Sequence, residues 1–202
     1  MRHVFVGDIH GCLGALDRLL AATGYRAADD RLLPVGDLVN KGPDSAGVLR
    51  RLIDLDATPV IGNHDLLWLE QGRITDPVAE AWLRSQPVAR AIGDVILVHG
   101  GMHPDWTRDD VLRVSRTEDV DFAVNVRYCT RAGERPPSDW PPPPPPFRPW
   151  DDWYRGAERV VFGHWARRGL VHTEKVVGLD TGCVYGGKLS GWILEEDRVV
   201  QV

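Results

Sequence analysis

Cysteine is scarce in this 202-residue chain: Cys12, Cys129 and Cys183 are too few and too scattered to frame a disulfide scaffold. Free thiols in a reducing cytoplasm are therefore expected. No apolar run reaches the roughly eighteen residues that a membrane helix needs, which excludes an ordinary transmembrane span. The opening segment, Met1 to Gly7, passes straight into a motif, so no secretory leader and no membrane partner are expected. An excess of positive charge is missing too. With 24 Lys and Arg against 29 Asp and Glu, the net charge is -5, and no nucleic-acid duplex is expected as a partner. Nor is there an internal repeat.

What is present is a series of short motifs dense in metal-binding side chains: Gly7-Asp8-Ile9-His10-Gly11, Gly36-Asp37, Gly62-Asn63-His64-Asp65, His99-Gly100-Gly101 and Gly163-His164. Any one of them is weak evidence, whereas five in order point to one site. Oxygen donors from Asp8, Asp37 and Asn63 mixed with imidazoles from His10, His99 and His164 suit a pair of divalent ions such as manganese. Thiolates are absent from the set, which argues against structural zinc. Two such ions would concentrate positive charge at one place in an acidic protein and draw small phosphorylated substrates there.

The motifs sit where strands are expected to end. The apolar runs His3 to Val6, Leu32 to Val35, Pro59 to Ile61, Val95 to Val98 and Val160 to Phe162 each lead into a glycine-containing motif and read as buried strands. Loops after the carboxyl ends of strands are where ligands bind in α/β sheets. Leu13, Leu16, Leu19 and Leu20 keep helical spacing up to Gly24, as do Val48, Leu49, Leu52 and Ile53 after Ser45. Beyond Gly169 the pattern turns to hairpin-like segments around Lys175 to Leu179, Leu189 to Leu194 and Arg198 to Val202. The expected fold is α/β, a mixed β-sheet sandwich flanked by helices, in a single domain over residues 1–202 with 43% hydrophobic content.

One segment stands apart. Between Thr130 and Asp152, Pro136, Pro137 and the run Pro141 to Pro146 can sustain neither helix nor central strand, so an extended loop with polyproline character is expected. Two readings of it stay open. It is either a stiff surface excursion whose tryptophans pack back on the fold, or a specificity loop whose Trp140, Trp150 and Trp153 present aromatic surface to a substrate.

The motif series, with Asp180-Thr181-Gly182 and Gly186-Gly187, resembles the calcineurin-like metallophosphoesterases, in particular their phosphoprotein-phosphatase branch. Phe162-Gly163-His164-Trp165-Ala166, Asn63-His64-Asp65-Leu66-Leu67-Trp68 and Val126-Arg127-Tyr128-Cys129 look most like the symmetrical diadenosine tetraphosphatases of that branch. The resemblance implies the metallophosphoesterase fold, with Asp8, His10 and Asp37 on a first metal and Asp37, Asn63, His99 and His164 on a second. It implies that water activated by both ions is the nucleophile, that His64 protonates the leaving oxygen, and that Lys41 and Arg127 hold phosphate oxygens. The stretch between the His99 and Gly163 motifs is short for a tetraphosphatase of that type.

In the second motif, Asn40 and Lys41 stand where many phosphoprotein phosphatases have Asp and Arg. An asparagine offering only its carbonyl gives His64 less support as an acid, and lysine replaces a two-pronged fork with a point charge. Weak acid support matters less when the leaving group is a nucleoside diphosphate than when it is a serine alkoxide. The expected activity is thus symmetric hydrolysis of diadenosine tetraphosphate to two ADP, the alternative being a protein serine/threonine or tyrosine phosphatase with phosphoprotein as partner. A metal-binding scaffold without turnover is disfavoured by the intact ligand set and His64. Trp68, Trp165 and Tyr185 read as core packing or as base-stacking surface, His103 as a rim residue, and His3 and His172 as structural.

Overall fold

The computed structural model describes residues 1–202. Two sheets carry the fold. The first is built from β1 (Arg2–Val6), β2 (Asp30–Pro34), β10 (Ser190–Ile193) and β11 (Arg198–Gln201), in the order β11-β10-β1-β2. The second takes β3 (Ala89–Ile92), β4 (Val95–Val98), β7 (Arg159–Phe162), β8 (Val171–His172) and β9 (Val176–Gly178), in the order β3-β4-β7-β9-β8. A short pair, β5 (Tyr128–Cys129) with β6 (Arg148–Pro149), closes the base of the proline-rich segment.

The apolar strand runs are explained by burial on both faces. Phe5, Leu33 and Trp192 of the first sheet meet Leu97, Val161 and Val177 of the second in an inner layer. The alternate residues of the same strands face helices. Val4, Val6 and Leu32 pack under α1 (Leu13–Thr23), α2 (Ser45–Asp54) and α4 (Pro77–Arg84), through Leu16, Leu49 and Leu83. Ile96, Val98 and Val160 pack under α5 (Arg108–Leu112) and α6 (Thr117–Asn125), through Val111 and Phe122. The result is the expected mixed sandwich flanked by helices.

Helix limits follow from capping chemistry. Asp44 accepts a hydrogen bond from the Gly47 N–H at 2.7 Å to open α2, and Asp76 accepts from Val78 at 2.9 Å to open α4, with Pro77 at its first position. The helix α3 (Asn63–Glu70) starts where the Gly62 N–H donates to Asp65 at 2.9 Å. No helix is long and apolar enough to cross a membrane.

Two expectations need correction. Pro59 to Ile61 runs extended beside β2, with the Thr58 N–H donating to the Leu32 carbonyl at 2.9 Å and the Val60 N–H to that of Pro34 at 3.2 Å, but forms no ladder, because Pro34 has no N–H to return to the Thr58 carbonyl between them. Lys175 to Leu179 is not merely half of a hairpin: β9 pairs antiparallel with β8 and parallel with β7, which places it inside the second sheet. In the segment from Thr130 to Asp152 only β6 and one short 3-10 turn at Trp150–Asp152 are regular, in keeping with its prolines.

Candidate functional site

Five strand ends deliver acids and imidazoles to one crevice. Asp8 follows β1, Asp37 follows β2, His99 follows β4, His164 follows β7 and Asp180 follows β9. Parallel pairing of β1 with β2, and of β4, β7 and β9 with one another, makes these ends point the same way in each sheet. Asn63 and His64 enter from the first turn of α3. The loops are tight and strained. His10, Asp37, Asn40, Lys41 and His164 hold left-handed backbone at φ 47°, 51°, 74°, 68° and 63°, while only Asp56 and Asp197 do so elsewhere among non-glycine residues. Each such residue costs about 1 kcal/mol or more, so strain is concentrated here. Gly62 and Gly163 are required by close approach: a β-carbon on Gly62 would collide with the Asp37 carboxylate, and one on Gly163 with the Asp8 carboxylate.

Three of the imidazoles are aimed by backbone carbonyls. His10 Nδ1 donates to the Val39 carbonyl at 3.0 Å, His99 Nδ1 to that of Val35 at 2.8 Å, and His164 Nε2 to that of Asn125 at 3.1 Å. The opposite nitrogens then face inward. His10 Nε2 lies 3.4 Å from one Asp37 oxygen and His99 Nε2 3.4 Å from the other. Asn63 Oδ1 is 3.1 Å from both His99 Nε2 and His164 Nδ1. Ligand atoms of His10, Asp37 and His64 fall within 4.8 Å of one another, as do those of Asp37, His99 and His164, so Asp37 is common to both groups. Asp8, expected beside His10, belongs to neither group; its carboxylate accepts from the His164 N–H at 3.1 Å.

The electrostatics ask for a cation. His164 presents the lone pair of Nδ1 to the Asn63 oxygen, acceptor against acceptor, because its other nitrogen is committed. Burial pushes His164 well below the usual histidine range, with His99 and Arg127 adding to the effect. Burial likewise takes His10 down to about 4 against the pull of Asp37. Burial opposes charge on Asp37 as well, but His99 and His10 outweigh it and keep Asp37 ionised. Asp8 is raised well above the carboxylate range by burial, then by Asp180 and Asp37. Asp180 is itself raised by burial. A buried cluster of carboxylates and oriented imidazoles with acceptors left facing acceptors, His164 against Asn63 and His10 against Asp37, fits divalent ions.

Around this ring lie the groups that can touch a substrate. His64 Nδ1 is 2.7 Å from Asn40 Nδ2, whereas the sequence led us to expect the Asn40 carbonyl there; that carbonyl instead accepts from the Lys41 N–H at 2.8 Å. The amide therefore donates to Nδ1 and leaves the proton on Nε2. Burial lowers the His64 pKa, Asp37 opposes, and Lys41 lowers it further. Lys41 Nζ donates to the Tyr185 hydroxyl at 2.6 Å. Arg127 donates to the His164 carbonyl at 3.0 Å and to Asp139 of the proline-rich segment at 3.1 Å. His64, Lys41, Tyr185, Arg127 and Asp139 line one cavity of about 990 Å³.

Other expectations divide. Trp165 is buried and lines the cavity, stacked edge-on with Tyr128 at 4.8 Å, and Tyr185 lines it exposed. Trp140 lines it, Trp150 is fully buried in the second core, and Trp153 is committed to the Cys129 carbonyl at 3.0 Å. The loop thus packs Trp150 and Trp153 back on the fold and leaves Trp140 at the cavity. Trp68 packs at the first core under Arg73, and His103 packs among Trp106 and Phe122 rather than at the rim. His3 pairs with Glu195 and His172 with Asp197. Sequence reasoning assigned no role to Asp65, a fully buried acid that accepts from Leu38, Val39 and Gly62 and so ties the second motif to the third. Asp180 was given no role either, although it ends an apolar run as the other motifs do.

Fold and site together define a hydrolase that works on phosphoesters with divalent metal ions. The calcineurin-like phosphoesterase model matches residues 1–168, and the chain belongs to that family. A symmetrical bis(5'-nucleosyl)-tetraphosphatase of Acidovorax sp. (strain JS42) is 34% identical, over 92% of this chain and 89% of that protein. One from Shewanella sp. (strain MR-4) is 33% identical over 99% and 97%. A solved structure described as that of a "putative diadenosine tetraphosphatase" superposes with TM-score 0.87 at 35% identity, covering 100% of this chain and 92% of that one. The alignment to the Acidovorax protein spans 251 positions against 202 residues here, so that relative carries segments this chain lacks.

Proposed function

We propose that this chain hydrolyses diadenosine tetraphosphate symmetrically, water attacking one central phosphorus and the bridge between the two central phosphates breaking to give two ADP. Asp8, His10 and Asp37 would hold one divalent ion, and Asp37, Asn63, His99 and His164 the other, with Asp37 between them. His64 stays free for substrate. Manganese suits this set of oxygens and imidazoles without thiolate. When bound, the two ions supply positive charge to the phosphates and lower the pKa of water.

The observation that carries the reading is the Asn40–His64 contact at 2.7 Å. An amide donating to Nδ1 keeps His64 neutral, with its single proton on Nε2 available as a hydrogen bond to the departing oxygen. A neutral imidazole is a poor acid for an alkoxide, yet sufficient for a nucleoside diphosphate, which leaves as a stabilised anion. Lys41 and Arg127 hold the phosphate chain from two sides, as their places beside His64 and His164 allow. The names of the relatives support the same substrate. We take residues 1–202 as one domain, and the enzyme as cytoplasmic because the sequence holds too few cysteines for a disulfide scaffold.

The test is a product assay. Manganese-loaded protein given diadenosine tetraphosphate should release ADP alone. ATP plus AMP in equal amounts, or faster turnover of a phosphopeptide than of the tetraphosphate, would overturn the reading in favour of asymmetric cleavage or a phosphoprotein phosphatase.

A further inference from the structure

Eight tryptophans, four tyrosines and four phenylalanines are spread along the chain, and only Trp140 (61% exposed) and Tyr185 (66%) stand out in solvent. Both line the cavity of the metal ring. Each is already backed by a cation: the Arg167 guanidinium lies 4.1 Å from the centre of the Trp140 ring, and Lys41 Nζ lies 5.0 Å from that of Tyr185. The two adjoin different cations of the site. Lys41 and Tyr185 adjoin Asn40 and His64, whereas Trp140 follows Asp139, which grips Arg127 beside His164.

Trp140 is held in place although it touches no core. The Ser138 hydroxyl donates to the Trp140 carbonyl at 2.8 Å and accepts its N–H at 3.2 Å, and the Asp139–Arg127 pair ties the adjoining residue to the site at 3.1 Å. A large aromatic surface that is held rigid and left wet at the mouth of a phosphate site is a stacking platform without its ligand. A substrate with one base at each end of a phosphate chain would need two platforms, one beyond each phosphate-holding cation.

We propose that Trp140 and Tyr185 are the two nucleobase platforms, the proline-rich segment serving as the arm that carries one of them. This rests on the dinucleoside polyphosphate reading above. Stacking is tolerant of base identity, so diguanosine tetraphosphate should serve nearly as well as the diadenosine compound, while inorganic tetraphosphate, which has no bases, gains nothing from either ring.

Stopped-flow tryptophan fluorescence reads binding ahead of turnover, and steady-state kinetics follow. Diadenosine tetraphosphate should quench emission in the wild-type protein where inorganic tetraphosphate does not, and Trp140→Phe should abolish that quench while keeping KM within about threefold. Trp140→Ala and Tyr185→Ala should each raise KM for the dinucleotide about tenfold, with kcat moved far less and with no comparable loss for inorganic tetraphosphate. A quench that survives in Trp140→Phe, an unchanged KM in either alanine variant, or equal losses on both ligands would overturn the proposal. Quenching of this pattern without release of ADP would instead overturn the substrate reading and leave the platforms standing.

Discussion

The ring of acids and imidazoles and the proline-rich arm line one cavity and are built by opposite rules. Ring residues are buried at the ends of strands, each fixed by two or more neighbours and several in strained backbone. The arm from Thr130 to Asp152 has almost no regular structure and is tied down by separate side-chain contacts, among them buried Trp150 and the pairs of Asp139 with Arg127, Arg131 with Asp105 and Asp151 with Arg168. The difference teaches that chemistry needs enforced geometry, which a sheet supplies, while contact with the ends of a substrate needs only reach, which stiff prolines supply.

If that division holds, changes in the ring must cost far more than changes in the arm. Asp37→Asn, at the residue common to both candidate metal groups, should lower kcat by about a thousandfold or more and remove manganese binding seen by calorimetry. His64→Asn should slow phosphoserine hydrolysis about a hundredfold and tetraphosphate hydrolysis less than about tenfold; equal losses in the two assays would remove the leaving-group argument. Asp65→Ala strips acceptors from three buried N–H groups, so denaturant unfolding should show a loss of about 3 kcal/mol.

Acidity sharpens the same contrast. His10 titrates near 4 and His164 is also lowered in the metal-free fold, while their unfolded values lie near 6.5. The folded state binds fewer protons at these two sites. Their contribution to stability is present above about pH 6.5 and is lost as the pH falls through the folded values. His99 is the exception, since burial lowers it but Asp37 outweighs burial and holds it above the usual histidine range. Divalent ions need it neutral, so the rise in Tm on adding manganese should be full near about pH 8.5 and shrink steadily as the pH falls to about 6. The smallest effect belongs to the arm: Pro144→Ala should lower stability by about 0.5–1 kcal/mol, through the unfolded chain alone, with kcat/KM within about twofold of wild type.

Much of this was legible beforehand because glycine and ligand-type residues follow apolar strands at β1, β2, β4 and β7, where periodicity and motif reinforce one another. Pro59 to Ile61 misled for a physical reason, since its apolar character matched a strand while Pro34 on the neighbouring strand could not return the hydrogen bond. Asp65 was obscured because a buried acid that only accepts from backbone N–H groups looks in sequence like any polar neighbour of a motif. Which way the Asn40 amide turns depended on the Lys41 N–H, a partner one residue away that no pattern specifies.

The order of donors along the chain, Asp8, His10, Asp37, Asn63, His99 and His164, already fixed the chemical class, because ligand type is a property of side chains. Which aromatic rings stay wet at the cavity mouth, that Asp180 shares the buried ground of Asp8, and which proton His64 keeps were decided only by the folded chain. Those properties belong to pairs of groups that are distant in sequence or share one hydrogen-bonding partner, and such pairs come into being when the two sheets close on each other.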